Sequence, residues 1–242
     1  MDKLSTTIED YLSLIYVLER DSEPVVGVHL ADLMGVSPPT VTNTLKRMVR
    51  DELIRMDETG THLTKSGWKS ARTVVRRHMI MELMMVKRLP WSKLHHEAHN
   101  LEHAISAEAE EALFEEMGHP KTCPHGNPLP GFEEAVADWI PLTTTSPKDE
   151  VVIKRIHEIA EHNSELMAFL ETKGIMPERR AKVMERLPFN QTMTLELEGK
   201  DVTLGYASAK YIFVERVGRR GKNVNKETGG GKNVNTETSK ME

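Results

Sequence analysis

The stretch that decides the fold runs from Leu30 to Arg50 and reads LADLMGVSPPTVTNTLKRMVR. Its first residues predict a short helix that Gly35 ends, because glycine is favoured just beyond a helix C-terminus. Ser37 then suits the N-cap of a further helix, and Pro38 or Pro39 suits the first turn of that helix. Two short helices joined by a turn that contains glycine are typical of a helix-turn-helix.

The second of these helices has the composition of a DNA-recognition helix. Val41, Leu45 and Met48 recur at helical spacing and predict its buried side. Threonine and asparagine on its other faces can approach base edges, and lysine and arginine can reach phosphates. A polar helix face can also be merely solvated, so the surrounding sequence has to decide between the two. The candidate DNA-contacting residues are Thr7, Ser37, Pro39, Thr40, Thr42, Asn43, Arg47 and Arg50.

The flanking segments complete a winged helix. Apolar residues from Ile8 to Leu18 recur at helical spacing and predict a first helix, for which Thr7 is the expected N-cap. Residues 53–56 and 61–64 surround a polar turn and predict a β-hairpin, the wing. The ordered helix-turn-helix and wing favour DNA binding over a solvated face.

The formal net charge of −5 argues at first against a nucleic-acid-binding protein. Locally the balance differs, because residues 37–88 carry eleven basic and five acidic side chains, a net +6. Residues 89–140 carry two basic and ten acidic side chains, a net −8, and seven of the eleven histidines lie between His78 and His125. The first segment suits phosphate and the second suits a cation.

Histidines and glutamates recur where an amphipathic helix would place leucine. A long helix is predicted from Ser66 to about Arg88, with His78 and Glu82 one turn apart on it. A further helix, beginning near Trp91 or Ser92, is predicted to carry a single stripe of polar side chains. That stripe consists of His95, His99, Glu102 and His103.

Buried polar groups cost free energy unless they are paired or bind an ion, so the stripe predicts a metal site. The alternatives are a hydrogen-bonded polar interface and a solvated face. Imidazole and carboxylate donors suit Mn(II), Fe(II), Co(II), Ni(II) or Zn(II). Cys123 is the only cysteine, which excludes an internal disulfide and a multi-thiolate zinc site, and we interpret it as a turn residue.

The remaining sequence predicts a small β domain and a tail. Turn-forming residues at 123–131 and 142–147 separate the elements, and short strands predicted at 151–156, 192–197, 201–204 and 212–215 fit a small barrel. Residues after Val217 repeat the pattern GKNVNxET and predict disorder. The expected domains are a winged helix at 1–71, a helical metal-binding and dimerisation domain at 72–141, a β-barrel at 148–217 and a disordered tail at 218–242.

Several motifs together resemble the diphtheria toxin repressor and manganese transport regulator family of metal-dependent regulators. They are TxEDYL at 7–12, SxPTV at 37–41, RMxRD at 47–51, HxxxE at 78–82, HxEAxxxEH at 95–103 and GNPxPG at 126–131. The resemblance covers residues 3–140 with nearly matching spacing, and residues 148–217 more loosely. It implies a mainly α fold: a winged helix-turn-helix, a helical dimerisation domain with two metal sites, and a small SH3- or FeoA-like β-barrel.

The resemblance also implies ligands. Asp10, His99, Glu102 and His103 would form the primary site, and His78, Glu82 and His95 the second one. The iron-sensing branch has methionine and cysteine at the places of Asp10 and His99, whereas the manganese branch has aspartate and glutamate. Asp10 therefore favours Mn(II), and His99 fits neither branch. Glu161, His162 and Glu165 are candidate further ligands from the barrel.

These features predict a homodimeric repressor that binds a palindromic double-stranded operator, senses Mn(II) or Fe(II) and controls metal-uptake genes. We expect no enzyme activity, membrane partner or small-molecule substrate. The absence of an apolar segment of roughly 20 residues and of a signal peptide predicts a cytoplasmic location. The alternatives are a DNA-binding regulator with a structural metal or pH-sensing histidine site, and a helical histidine-carboxylate metalloenzyme.

Overall fold

The computed structural model describes residues 4–217, so the predicted disordered tail at 218–242 lies outside the described residues. The helices are α1 Thr6–Arg20, α2 Gly27–Met34, α3 Pro38–Arg50, α4 Lys65–Met85, α5 Leu94–Leu101, α6 Ala107–Glu116, α7 Glu158–Glu161, α8 Ser164–Lys173 and α9 Tyr206–Ala209. The strands are β1 Ile54–Asp57, β2 Gly60–Leu63, β3 Ile140–Pro141, β4 Glu150–Ile156, β5 Arg180–Leu187, β6 Thr192–Leu197, β7 Lys200–Gly205 and β8 Ile212–Arg216. Among residues 4–217, none of the helices is both long enough and apolar enough to cross a membrane.

The N-terminal part is the winged helix-turn-helix that the sequence predicts. Gly35 ends α2 in the left-handed region at φ 64°, and the Ser37 hydroxyl accepts a hydrogen bond from Thr40 N at the start of α3. Strands β1 and β2 pair antiparallel as the wing. The expected cap of α1 is wrong by two residues: Ser5 is the N-cap, and Thr7 lies in the first turn.

Helix α4 leads from the wing into the helical domain and packs against both α1 and α5. A Cβ at Gly67 would lie 1.9 Å from Leu53 O, so only glycine lets α4 begin this close to the wing. The helix is continuous across the predicted domain boundary at residues 71 and 72. Helix α4 therefore joins the winged helix to the helical domain without an intervening loop.

The helix with the polar stripe is shorter than the sequence predicts. A 3₁₀ turn at Trp91–Lys93 precedes α5, which ends at Leu101. Ala104 N donates to Leu101 O, and this i to i−3 bond tightens and ends the last turn. Glu102 and His103 consequently lie in the turn that follows α5.

The C-terminal part is an antiparallel sheet with the strand order β3-β8-β4-β5-β6-β7. Strand β5 is not among the strands predicted from the sequence. In it, exposed Arg180 and Lys182 alternate with buried Ala181 and Val183. The charged side chains conceal the strand, because a period of two is visible only in the two small apolar residues. Helix α7, four residues long, is also missed.

Charged side chains dock this sheet domain onto the rest of the molecule. At the end of α1, Arg20 donates to both oxygens of Glu158 on α7, at 2.7 and 2.9 Å. Arg155 of β4 donates to both oxygens of Asp21, at 3.2 and 2.6 Å. On α8, the Glu171 carboxylate accepts from the backbone N–H groups of Trp91 and Ser92 just before α5. The C-terminal domain thus contacts both the first helix and the start of α5.

Replacement of Glu158 by glutamine should destabilise the metal-free protein in a pH-dependent way. Burial alone would raise the pKa of Glu158, but Arg20 and Arg155 outweigh burial and lower the pKa to about 2. A lowered carboxyl pKa contributes stability above its unfolded value, near 4.5, and this stability is lost as the pH falls toward 2. We expect Glu158→Gln to cost on the order of 3 kcal/mol at pH 6 and about 2 kcal/mol less at pH 3.

Urea unfolding of both proteins between pH 3 and pH 6 in the presence of chelator measures this difference. The control is Glu198→Gln, since Glu198 pairs with Arg179 in solvent and exposed pairs contribute about 1 kcal/mol or less. A constant difference between parent and Glu158→Gln across this pH range would contradict the assigned role of the Glu158 charge.

Candidate metal centre

Four side chains from α1 and the end of α5 meet at one point, which we call the first centre. They are Asp10, His99, Glu102 and His103, each with a donor atom within 4.8 Å of the others. His103 Nε2 lies 3.1 Å from Asp10 Oδ1 and 3.3 Å from Glu102 Oε1. The His99 side chain is 47% exposed, so the centre opens to solvent on that side. Only Asp10 comes from the winged helix.

The ring nitrogen of His103 that points away from the first centre has a hydrogen-bond partner of its own. Its Nδ1 lies 2.6 Å from Glu9 Oε2, and because an ionised carboxylate only accepts, Nδ1 carries the proton there. The inner nitrogen, Nε2, faces Asp10 and Glu102. A ring nitrogen that faces two carboxylates requires a proton or a cation between them, and carboxylate-bound outer nitrogens are usual for histidines that bind metal.

Glu102 is the ionised member of the first centre. Burial would raise its pKa, but hydrogen bonds with His78 and His99 outweigh burial and lower the pKa to about 2. Burial raises the pKa of Asp10 above its usual value. The first centre therefore combines a firmly anionic carboxylate with one that gains from a nearby cation.

A second centre lies beside the first and is built around two buried carboxylates, Glu82 of α4 and Glu161 of α7. His78, Glu82, His95 and Glu161 form one group of converging donors, and Glu82, Cys123 and His125 form another. His95 Nδ1 lies 3.0 Å from Glu161 Oε2, and His125 Nδ1 lies 3.1 Å from Glu82 Oε1. The same two carboxylates thus face a histidine pair on one side and a cysteine-histidine pair on the other.

The cysteine-histidine pair is positioned by the loop at residues 123–131. Gly126 has φ 87°, and a Cβ there would lie 2.0 Å from Lys154 O, so glycine is required where the loop crosses β4. His125 O accepts from Ile156 N, and His125 Nε2 donates to Trp91 O at 3.1 Å. These bonds leave His125 Nδ1 directed at the second centre.

The donors of both centres fit a cation because several of them face one another without a hydrogen bond to any group. Buried side-chain atoms without a hydrogen-bond partner are Asp10 Oδ1, His78 Nε2, Glu82 Oε1 and Oε2, His95 Nδ1, His125 Nδ1 and Glu161 Oε2. Burial raises the pKa of Glu161 to about 8, and Glu161 and Glu82 raise the pKa of His125 to about 9 against the effect of burial. Without metal the second centre retains protons, which a cation would displace.

Three family profiles match consecutive parts of the chain. The N-terminal DNA-binding domain of iron-dependent repressors matches residues 3–60, and their metal-binding and dimerisation domain matches residues 64–131. The FeoA domain matches residues 140–216. The iron-dependent repressor IdeR of Mycobacterium tuberculosis is 32% identical over 232 residues, which cover 90% of this chain and all of that protein.

The chain belongs to the iron-dependent repressor family. The diphtheria toxin repressor of Corynebacterium diphtheriae is 30% identical over 90% of this chain and all of its own length. A manganese-dependent transcriptional repressor solved in complex with manganese has a TM-score of 0.75 at 27% identity, covering 87% of this chain and 100% of that one. ScaR with bound Zn²⁺ has a TM-score of 0.74 at 30% identity, covering 87% and 99%. The predicted family and fold class are confirmed.

The structure brings each set of predicted ligands together, and it adds Cys123 and His125, which the sequence did not indicate as donors. Of the candidate ligands from the barrel, Glu161 joins the second centre. His162 contacts the His95 ring edge-to-face, and neither His162 nor Glu165 belongs to a group of converging donors among the described residues. Cys123 is not a simple turn residue, because its thiol is buried beside Glu82 and His125. The feature of the sequence that could have identified these donors is the Cys-x-His spacing in the 123–131 loop.

The predicted DNA-contacting residues share one property: all of them are exposed. Val41, Leu45 and Met48 are buried on the opposite side of α3, as their spacing predicts. The Arg50 guanidinium lies 2.9 Å from Asp51 Oδ1, so its charge is partly neutralised in the absence of DNA. The surface around α3 is thus accessible to a partner.

Replacement of Cys123 by serine should change the second centre according to the softness of the metal. A thiolate favours Zn(II) and Co(II) over the harder Mn(II). We expect Cys123→Ser to remove the sulfur-to-metal charge-transfer absorption of the Co(II) protein. It should also weaken Zn(II) binding at least about tenfold, since even outer partners of ligands are worth that much.

Absorption spectra and competition with a chelator of known affinity measure both effects. His95→Gln, which removes a donor from the opposite pair, should leave the charge-transfer band in place. A Co(II) spectrum that is the same in the parent and Cys123→Ser would show that Cys123 is not a ligand.

Proposed function

We propose that this metal-dependent DNA-binding transcriptional repressor senses Mn(II), with Fe(II) as the alternative activator, and represses genes for metal uptake. The observation that carries the proposal is the first centre, in which Asp10 of α1 meets His99, Glu102 and His103 of the helical domain. Part of the DNA-binding domain and part of the dimerisation domain contribute donors to the same point.

The donor set supports a hard or borderline cation at the first centre. Two carboxylates and two imidazoles without sulfur suit Mn(II) and Fe(II), and leave Zn(II), Co(II) and Ni(II) as competitors that cellular availability has to exclude. The solved relatives include a repressor in complex with manganese and ScaR with zinc. The second centre, with Cys123, accepts softer ions more readily than the first.

The chain's own residues supply the link between metal and DNA. A bound divalent cation would provide a positive charge shared by Asp10 and Glu102. Ile8, Tyr11 and Leu12 are buried in the core beside Asp10, so any restraint on Asp10 restrains the whole helix. If a cation binds the DNA-competent position better, DNA must raise the affinity for that cation by the same factor.

We further propose that α3 is the recognition helix of each protomer in a homodimer. The family's dimerisation domain matches residues 64–131. Dimers with two helix-turn-helix motifs read half-sites about one helical turn apart, which implies a palindromic operator. Asn43 would read bases, and Arg47 would contact phosphate. We assign DNA binding to residues 1–71, dimerisation and metal binding to residues 72–141, and docking of the sheet domain onto the rest of the molecule to residues 148–217.

Removal of first-centre donors should abolish the effect of metal on DNA binding. We expect Mn(II) to raise the affinity of the parent for palindromic operator DNA by about 5- to 150-fold. Asp10→Ala and Glu102→Ala should lose most of this gain, because each removes a donor from the centre in which the two domains meet. Fluorescence anisotropy at fixed pH, with Mn(II), Fe(II) and Zn(II) and with chelator added at the end, measures the gain.

The control is Glu116→Ala, which removes an exposed carboxylate of α6. Reversal by chelator at fixed pH distinguishes a metal sensor from a histidine-based pH sensor. DNA affinity that is indifferent to all three metals would overturn the proposed function.

Substitutions on α3 should separate phosphate contacts from base contacts. Arg47→Ala should weaken binding to all sequences and reduce the salt slope by about one. Asn43→Ala should cost about 1–3 kcal/mol on the preferred operator and relax the preference at particular bases. Anisotropy titrations over a salt series measure the salt slope, and titrations of operator variants with single base changes measure the base preference. The control is Lys200→Ala, on the exposed face of β7. Unchanged binding in both variants would refute the assignment of α3.

A further inference from the structure

A buried cluster of charged side chains lies between the end of α1 and the C-terminal domain. The side chains of Arg20 and Arg155 are only 4% and 3% exposed, and Asp21 and Glu158 are 16% and 10% exposed. Arg155 contacts both acids, with Nη2 at 2.6 Å from Asp21 Oδ2 and 3.0 Å from Glu158 Oε2. Two positive and two negative groups neutralise one another, so this cluster requires no metal ion even though it also contains His157.

The third guanidinium nitrogen of Arg155 points the other way. Arg155 Nε donates to Asn127 Oδ1 at 2.5 Å. The amide nitrogen of Asn127 donates to Glu161 Oε1 at 2.6 Å and to Ile156 O at 2.7 Å. Asn127 is completely buried, so no water competes for these bonds. A continuous path of hydrogen bonds therefore runs from Glu161 to Asp21.

The two ends of this path have different partners. Glu161 Oε1 is held by Asn127, while Glu161 Oε2 faces the second centre without a hydrogen bond. Asp21 is the residue that directly follows α1, and its own N–H donates to Val17 O in the last turn of that helix. A displacement of the Glu161 carboxylate would alter the hydrogen bonds of Asn127 and, through Arg155, those of Asp21.

Helix α1 is thereby anchored at two points. Asp10 belongs to the first centre, and Asp21 lies eleven residues later, a distance of about 16 Å along a helix. Buried side chains such as Leu12 hold the helix in the core, and the two polar contacts act on its first half and on its C-terminal end. Two anchors this far apart define its direction, and α1 packs against the wing strand β2 of the DNA-binding domain.

We propose that Asn127 and Arg155 are positioning residues that connect the second centre to the C-terminal end of α1, so that a cation held by Glu161 favours the DNA-binding position of that helix. The inference rests on the proposed function, because it assigns regulation to the same metal-dependent repressor. The guanidinium of Arg155 is essential to the path. It contacts Asn127 through Nε and Asp21 through its Nη atoms, whereas lysine has only one side-chain nitrogen.

The experiment measures the ratio of DNA affinities with saturating Mn(II) and with chelator for full-length variants. Arg155→Lys keeps the charge and loses the forked set of nitrogens, and Asp21→Asn keeps the shape and loses the charge. We expect each to reduce the ratio by about fivefold or more. The control Arg216→Gln disrupts an arginine-aspartate pair within the C-terminal domain, at 3.0 Å from Asp149, and should leave the ratio unchanged.

Two further measurements separate positioning from a purely structural role. In the metal-free protein, hydrogen exchange in the last turn of α1 should accelerate in Arg155→Lys, while the thermal midpoint stays near that of the parent. Glu161→Gln combined with Arg155→Lys should reduce the Mn(II) ratio no more than Glu161→Gln alone, because both act on one path. Asp21→Asn serves the same comparison should Arg155→Lys fail to fold.

The outcomes distinguish this inference from the proposed function. If the parent binds DNA equally well with Mn(II) and with chelator, both the proposed function and the path are overturned. A large parent ratio that Arg155→Lys and Asp21→Asn leave unchanged would overturn only the path. The path would also be overturned if the double variant reduced the Mn(II) ratio by the product of the two single reductions. Glu161→Gln and Arg155→Lys would then act independently, and the second centre would affect DNA binding without Arg155.

Discussion

The hydrogen bond between His78 and Glu102 is the interaction on which the rest of the structure depends. His78 Nδ1 lies 2.5 Å from Glu102 Oε2, and both side chains are buried between α4 and the end of α5. Because the Glu102 carboxylate accepts the proton of Nδ1, the opposite nitrogen of His78 is directed at the second centre. The other oxygen of Glu102 faces the first centre. One hydrogen bond therefore orients a donor in each centre and makes the two centres neighbours.

Burial explains why these donors suit a metal ion better than an ordinary polar interface. Carboxylates and imidazole lone pairs that face one another away from water are unstable without protons or cations between them. The same physical requirement is met differently in the Arg20, Asp21, Arg155 and Glu158 cluster. There the chain supplies its own positive charges, so the cluster is complete without an ion. The contrast separates a cluster that would gain from a bound cation from one whose ion pairs hold the C-terminal domain against α1.

The formal net charge of −5 is the sum of segments with different roles. The basic segment at 37–88 includes α3, the wing and α4, and the acidic segment at 89–140 includes α5, α6 and the 123–131 loop. Bound divalent cations would offset part of the acidity of the second segment. An overall negative charge is therefore compatible with a protein that binds DNA, since only the surface around α3 has to meet phosphate.

The sequence by itself determined the winged helix, the exposed face of α3 and most of the side chains that meet in the first centre, because helical periodicity and capping act within a few residues. It did not determine β5, whose charged residues conceal a period of two, or the end of α5 at Leu101. Glu161, Cys123 and His125 lie far from Glu82 in the sequence, and only packing of the sheet domain and the 123–131 loop brings them to it. Local spacing fixes which side chains share a helix face, whereas the approach of α7 to α4 depends on contacts between domains that no local pattern contains.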